Sequence, residues 1–233
     1  MGIQIIGNGG VIADVDGTTF RALKNTNRPM EFGANGHFQY SAVSGILPAA
    51  LAAASVVFSF RWGDASKLAI VTGFRTRFLP LTLFTAATLT DHTSFDAFVG
   101  RSFSASHTGG TGATMTGNNQ KKRTSMGTSL IATNGDIRIA TTAALGGGTV
   151  TLDAQPFSQS IRKGNRANPA AGTEETIQPS ADGLNFNSDV SIGEHPIVLA
   201  QNEGVVVRNR TVWPAAGTGQ LLVEIIWAEV SAY

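Results

Sequence analysis

Alternating apolar and polar residues recur along most of the chain and predict β-strands. Between 56 and 62 the apolar residues stand at every second position, which is typical of a half-buried strand. Short intervals between such runs favour antiparallel pairing over βαβ crossovers, and apolar residues close to Tyr233 predict a central or docked final strand. Further strand-like runs lie at 68–71, 78–84, 95–99, 137–140, 149–152, 197–199, 205–209 and 221–227.

Helical patterns are sparse. Residues 49–54 are rich in alanine, but Pro48 precedes them and β-branched residues follow, so we expect one or two helical turns at most. A doubly wound α/β fold needs several longer helices. The sequence therefore predicts an all-β fold, an antiparallel β-sandwich or jelly-roll-like domain over 36–233, preceded by an extended N-terminal arm or edge strands over 1–35.

Two long polar stretches interrupt the strand pattern, at about 106–128 and 162–189. The first contains little that could enter a hydrophobic core. Loops of this length are uncommon in compact domains and are usually functional or disordered. We expect both loops to be held by a neighbouring subunit.

Composition narrows the function classes. The chain has 233 residues, 42% of them hydrophobic, 14% charged and none cysteine. It therefore has no disulfide framework, zinc-finger spacing or thiol nucleophile. Its formal net charge of +1 argues against a protein that coats DNA. The uncharged stretch 38–60 is long enough to cross a membrane, but its polar residues and weakly apolar alanines favour buried strands and a turn.

Two segments look like catalytic motifs but lack essential parts. Segment 11–20 resembles the first motif of the haloacid-dehalogenase phosphatases, which would make Asp14 a nucleophile and Asp16 a proton donor. The downstream acidic pair and crossover helices of that family are missing, so we interpret the segment as a tight turn. Segment 112–119 has P-loop glycine spacing, but Asn118 and Asn119 replace the required Lys and Ser/Thr, which indicates a flexible loop.

No metal or nucleophile motif emerges either. The four histidines, His37, His92, His107 and His195, are far apart and lack a second ligand at metal-site spacing. No Gly-x-Ser-x-Gly elbow is present. We therefore expect no catalytic residue, no metal, no cofactor and no enzymatic activity.

Two dense basic clusters are the candidate partner contacts. Most such clusters are simply solvated, and contact with a protein is the functional alternative. Nucleic acid is disfavoured because stacking aromatic residues do not accompany the clusters. Their members are Lys121, Lys122 and Arg123 in the first and Arg162, Lys163 and Arg166 in the second.

Three strings carry a family resemblance: TGNNQKKRTSMGTS at 116–129, TLDAQP at 151–156 and HPIVLAQNEG at 195–204. Together they resemble a family of largely unannotated virion structural proteins of tailed bacteriophages, from Ile3 to the C-terminus. The resemblance implies a virion component and supplies no active-site residue. Capsid decoration and tail or neck positions are all compatible with it.

The expected function is that of a non-enzymatic capsid decoration (cement) protein on the capsid exterior, made in the host cytoplasm. It would contact itself, as a trimer or other homo-oligomer, and the major capsid protein or another virion protein; a membrane is not expected as a partner. A tail, collar or fibre-associated protein is one alternative. A carbohydrate-binding β-sandwich with Trp62 or Trp213 as a stacking platform is another, although tryptophan more commonly packs in a core or an interface.

Overall fold

A computed structural model describes residues 36–82, 84, 94–117, 120–160, 185–187 and 195–231, together with 15–16 and 22–23. The chain divides into two units, Met1–Glu31 and Phe32–Tyr233. In the first unit, β1 (Val15–Asp16) pairs antiparallel with β2 (Ala22–Leu23). Asp14, the tight turn expected after Asp16 and the rest of the expected arm lie outside the described residues.

The second unit confirms the all-β sandwich, because two antiparallel sheets pack against each other. The five-stranded sheet contains β3 (His37–Val43), β5 (Leu68–Pro80), β11 (Asn185–Asn187), β12 (Ile197–Leu199) and β14 (Gly219–Val230). The seven-stranded sheet contains β4 (Val56–Arg61), β6 (Phe95–Ala105), β7 (Thr111–Gly112), β8 (Asp136–Ile139), β9 (Thr149–Leu152), β10 (Ser158–Gln159) and β13 (Gly204–Asn209). The single helix of the described residues is α1 (Ile131–Asn134), which has 4 residues.

Several strands that are consecutive in the sequence lie in different sheets, at both ends of the second unit. The five-stranded sheet runs β11-β5-β14-β3, with β12 also paired to β5. The seven-stranded sheet runs β10-β6-β13-β4-β8-β7, with β9 also paired to β6. The last three strands therefore alternate between the sheets and do not pair with one another. The final strand, β14, is central between β5 and β3, as its apolar sequence predicted.

Aromatic side chains fill the space between the sheets. The ring centroids of Phe58 and Phe74 lie 6.2 Å apart, and those of Phe60 and Trp227 lie 5.3 Å apart. Each pair joins β4 of one sheet to the other sheet. Such offset and edge-to-face pairs add to the free energy gained by burying the rings. The apolar positions of the alternating pattern are therefore those that meet across the sandwich.

Several local predictions were wrong. The run 56–62 is not half-buried, because Ser59 is covered by His107 on the second face of the sheet and Val57 is also buried. Runs 68–71 and 78–84 do not form separate strands, since β5 continues along β14 through a register shift and ends at Pro80. Residues 49–54 form turns with positive φ at Ala50 and Ala54 and no helix, which is within the predicted limit of one or two helical turns.

The first polar loop also differs from expectation. His107, Met115 and Met126 are buried, so 106–128 does contribute to the core, and β7 within it pairs with β8. The second loop, 162–189, lies outside the described residues except for β11. Within the described part of the chain, no helix is long and apolar enough to cross a membrane.

Candidate interaction surface

The closest approach to a catalytic pair is made by Ser59 on β4 and His107. The Ser59 Oγ and the His107 Nδ1 are 2.9 Å apart, a distance compatible with a nucleophile and its base. However, the two residues are only 3% and 5% exposed, and the Phe103 ring lies edge-on to the imidazole. A substrate has no access to the hydroxyl. The pair instead satisfies two buried polar groups with one hydrogen bond.

This buried histidine makes stability depend on pH. Burial lowers the pKa of His107, and the charge of Asp136 opposes this effect. Because the folded-state pKa is below the ordinary value of 6.5, its contribution to stability is lost as pH falls below about 6.5. We expect wild type to lose stability relative to His107→Gln between pH 7.5 and 5, measured by urea denaturation. Parallel stability curves for the two proteins would contradict this expectation.

The described residues of the other candidate sites do not come together in a binding or catalytic site. Trp62 and Trp213 are both buried, so neither can act as the platform proposed for a carbohydrate. In the P-loop-like segment, Gly112 belongs to β7 and Met115 is buried, while 118–119 lie outside the described residues. Among the described residues, no group of three or more His, Cys, Asp or Glu side chains could hold a metal ion.

A groove of about 470 Å³ crosses the side of the five-stranded sheet that points away from the core. We call it the outer groove. It extends from β11 over β5 and β14 to β3, so it is bounded by strands that are distant in sequence. The side chains that point outward along it are Gln39, Ser41, Arg75, Glu224 and Ile226, with Lys122 and Asn187 at its margins.

Gly73 gives the outer groove its depth. It lies opposite Ile226 beside the register shift between β5 and β14. A Cβ atom at Gly73 would lie 3.4 Å from the Ile226 Cδ1, in van der Waals contact with it. A side chain at this position would therefore fill the floor of the groove.

Lys122 reaches the groove because residues 120–122 extend the sheet beyond β3. The Gln39 amide donates a hydrogen bond of 2.8 Å to the Gln120 carbonyl, and the Lys122 amide donates one of 2.9 Å to the His37 carbonyl. The Lys122 Nζ then donates to the Gln39 side-chain oxygen. A basic residue of the first predicted cluster is thus fixed at the edge of the outer groove.

The remaining predicted contacts do not gather at this groove. Lys121 pairs with Phe38 in an isolated β-bridge, and Arg123 is exposed but does not line the groove. Arg162, Lys163 and Arg166 lie outside the described residues. The structure therefore separates the cluster at 121–123, and Lys122 is its one member that lines the groove.

Positively charged side chains outnumber carboxylates on this side of the five-stranded sheet. Arg75 forms a salt bridge with Glu224, and the hydrogen bond from Arg75 lowers the pKa of the Glu224 carboxyl, helped by the charges of Arg75 and Arg77. Arg77 is exposed at the next outward position of β5. With Lys122, three cationic side chains therefore accompany a single carboxylate on the described part of this face.

Apolar side chains continue this face beyond the charges. Val43 and Leu79 are each 53% exposed, and Leu222 lies between their strands on β14. Ile46 and Leu81, just past the ends of β3 and β5, are also exposed. We call the outer groove together with Arg77, Val43, Leu79 and Leu222 the outer face.

Comparisons with protein families, curated proteins and solved structures find no match to this chain. Sequence reasoning had missed Arg75, Arg77 and Glu224 as members of one surface. The alternation of β14 could have indicated that Glu224 points outward, but not which strands lie beside it.

Proposed function

We propose that this chain is a non-enzymatic structural protein of a virion, and specifically a capsid decoration protein that stabilises the head through contacts with other subunits. The observation that carries the proposal is the outer face, where exposed Val43 and Leu79 lie beside a polar groove on the five-stranded sheet. Contiguous exposed apolar groups of this kind mark sites of protein contact.

The three strings that carry the family resemblance contain residues with structural roles. Arg101 binds Asp153 of string 151–156 through two hydrogen bonds of 2.8 Å, and its Nη1 lies 3.5 Å from Glu203 of string 195–204. In string 116–129, Met126 and Ser129 are buried. Strings 151–156 and 195–204 thus contribute contacts along the seven-stranded sheet and string 116–129 contributes buried side chains, which agrees with motifs that mark a family without carrying chemistry.

The buried polar groups of the fold also support a structural role. Ser59 and His107 are bonded to each other, and the buried Glu229 accepts hydrogen bonds from Ser129 and Trp227. These groups act in packing. A protein that works by binding the assembled shell, and not its dissociated subunits, stabilises that shell by mass action. The outer face supplies the surface for such binding.

Quantitative mass spectrometry and electron microscopy of purified particles test this function. We expect hundreds of copies of the protein on the capsid exterior, arranged as a trimer or another homo-oligomer. Particles that lack the protein should rupture at a lower temperature than complete particles. Absence from particles would refute the virion role, and a copy number in the tens at the neck or tail would refute decoration of the head.

A further inference from the structure

We propose that the outer face docks an acidic protein surface that belongs to a different protein, and not to a second copy of this chain. This inference rests on the proposed structural role and names the partner chemistry of the same surface. The described part of the face carries one carboxylate, that of Glu224, and three positively charged side chains, those of Arg75, Arg77 and Lys122.

A second copy fits this face poorly. Two identical outer faces brought together would place each cationic excess against the other, and like charges across an interface disfavour pairing. Glu224 cannot relieve this repulsion, because it is already bonded to Arg75 of its own chain. A partner that supplies additional carboxylates removes the repulsion.

Two of the cations are available for such carboxylates. Within the described residues, no carboxylate lies within salt-bridge distance of Arg77, and Lys122 bonds to the uncharged amide of Gln39. A guanidinium and an ammonium both form strong, charge-assisted hydrogen bonds with carboxylates. The Gln39 contact also holds the Lys122 side chain over the groove before a partner arrives.

The spacing of these cations calls for an extended partner surface. Arg77 is on β5, while Lys122 lies beyond β3, which is separated from β5 by β14. Because neighbouring strands lie about 4.8 Å apart, the two cations are separated by roughly 15 Å across the sheet. One carboxylate cannot reach both. The partner must present at least two carboxylates at separate places on its surface.

The apolar side chains favour protein over nucleic acid. Val43 and Leu222 lie in the same register row as Arg77, and Leu79 lies beyond it, so apolar groups of the partner beside the carboxylate that meets Arg77 would bury them. The aromatic residues along the groove, including Tyr40 and Phe186, pack against the core, whereas single-stranded nucleic acid is bound by stacking on exposed rings. The face therefore combines the features of a protein interface.

A peptide that alternates Glu and Val over ten residues provides the first test, because it presents carboxylates and apolar groups together. We expect it to bind the full chain in fluorescence anisotropy, with an affinity that falls as salt increases. Since an exposed ion pair contributes up to about 1 kcal/mol, and charge reversal adds repulsion, Arg77→Glu and Lys122→Glu should each weaken binding about fivefold.

Arg123→Glu is the matched control, because it makes the same charge change one residue from Lys122 but outside the outer groove. It should leave the affinity within about twofold. A peptide with Lys in place of Glu, and a ten-nucleotide single-stranded DNA, should not bind. Failure of the acidic peptide to bind, equal weakening by Arg123→Glu, or tighter binding of the DNA would overturn the inference.

Carbodiimide cross-linking in purified particles provides the second test, since this reagent joins amines and carboxylates that are in contact. A cross-link from Lys122 to an acidic residue of another virion protein supports the inference. A cross-link to a second copy, or none from Lys122 in particles that contain the protein, overturns it. If particles lack the protein, the proposed function fails, while the peptide measurements still decide the chemistry of the face.

Discussion

Replacing Trp213 by alanine should lower the free energy of unfolding by about 3–5 kcal/mol, since removal of a large buried ring leaves a cavity that the fold closes only in part. Trp213 is 1% exposed and follows β13. Its ring centroid lies 5.5 Å from that of Phe78, 5.2 Å from that of Phe84 and 6.1 Å from that of Phe95. The alanine variant would lose all three edge-on contacts together.

Trp213→Phe is the control for this loss. The Trp213 Nε1 is buried and has no hydrogen-bond partner among the described residues. Phenylalanine keeps most of the ring contact and removes this unsatisfied donor, so we expect a change within about 1 kcal/mol. Trp227→Phe should cost more than Trp213→Phe, because the Trp227 Nε1 donates to Glu229.

Urea denaturation followed by far-ultraviolet circular dichroism measures these differences without depending on tryptophan fluorescence. A loss below about 1 kcal/mol for Trp213→Ala would show that the residue is not packed as described. The same variant separates two interpretations of Trp213. An exposed carbohydrate platform would lose glycan binding with the fold unaffected, whereas a core residue loses stability.

The final strand could be predicted because burial in it follows every second residue. In β14, Leu221, Val223, Ile225 and Trp227 all face the core, so the two-residue period was visible in the sequence. The same reasoning failed for β4. Ser59 is buried by His107, which is 48 residues away and belongs to a loop that looked too polar to enter the core.

The outer face could not be predicted from the sequence either, because its residues are distant in sequence. Arg75 and Glu224 are 149 residues apart, and only the order of β5 and β14 brings them together. The basic cluster did lead to Lys122, but composition could not separate it from Arg123. That distinction arises because residues 120–122 hydrogen-bond to the edge of β3. Strand order and backbone pairing are tertiary facts that local patterns do not contain.

Glu229 also has tertiary contacts that the local sequence does not reveal, and these contacts contribute strongly to the free energy of unfolding. It stands near the end of β14 with 0% exposure. Its carboxylate accepts hydrogen bonds from the Ser129 hydroxyl at 2.5 Å, the Leu130 amide at 3.0 Å and the Trp227 indole at 3.2 Å. The carboxylate thereby ties the beginning of α1 to the central strand of the five-stranded sheet.

Glu229→Ala should therefore lower the free energy of unfolding by about 3–5 kcal/mol, because it leaves three donors in the interior without their acceptor. Glu203→Ala is a matched comparison on a partly exposed carboxylate, whose bond is to the Ala200 amide. We expect its cost to stay near 1 kcal/mol or less. Equal losses for the two variants in urea denaturation would show that the Glu229 network contributes nothing special.

The pH dependence of the same residue has a definite sign. Burial raises the pKa of Glu229 above its ordinary value of 4.5, although the hydrogen bonds from Ser129, Leu130 and Trp227 oppose this. The folded protein then holds a proton that the unfolded chain releases, so this contribution to stability is full below pH 4.5 and declines as pH rises towards the folded-state pKa.

Glu229→Gln isolates this contribution, because glutamine has nearly the same shape and does not titrate. All other ionisable groups are common to the two proteins, so the stability of wild type minus that of the variant should fall with rising pH and then level off. Urea denaturation from pH 4 to pH 8 measures this difference. A difference that stays constant, or that grows as pH rises, would contradict a pKa of Glu229 raised by burial.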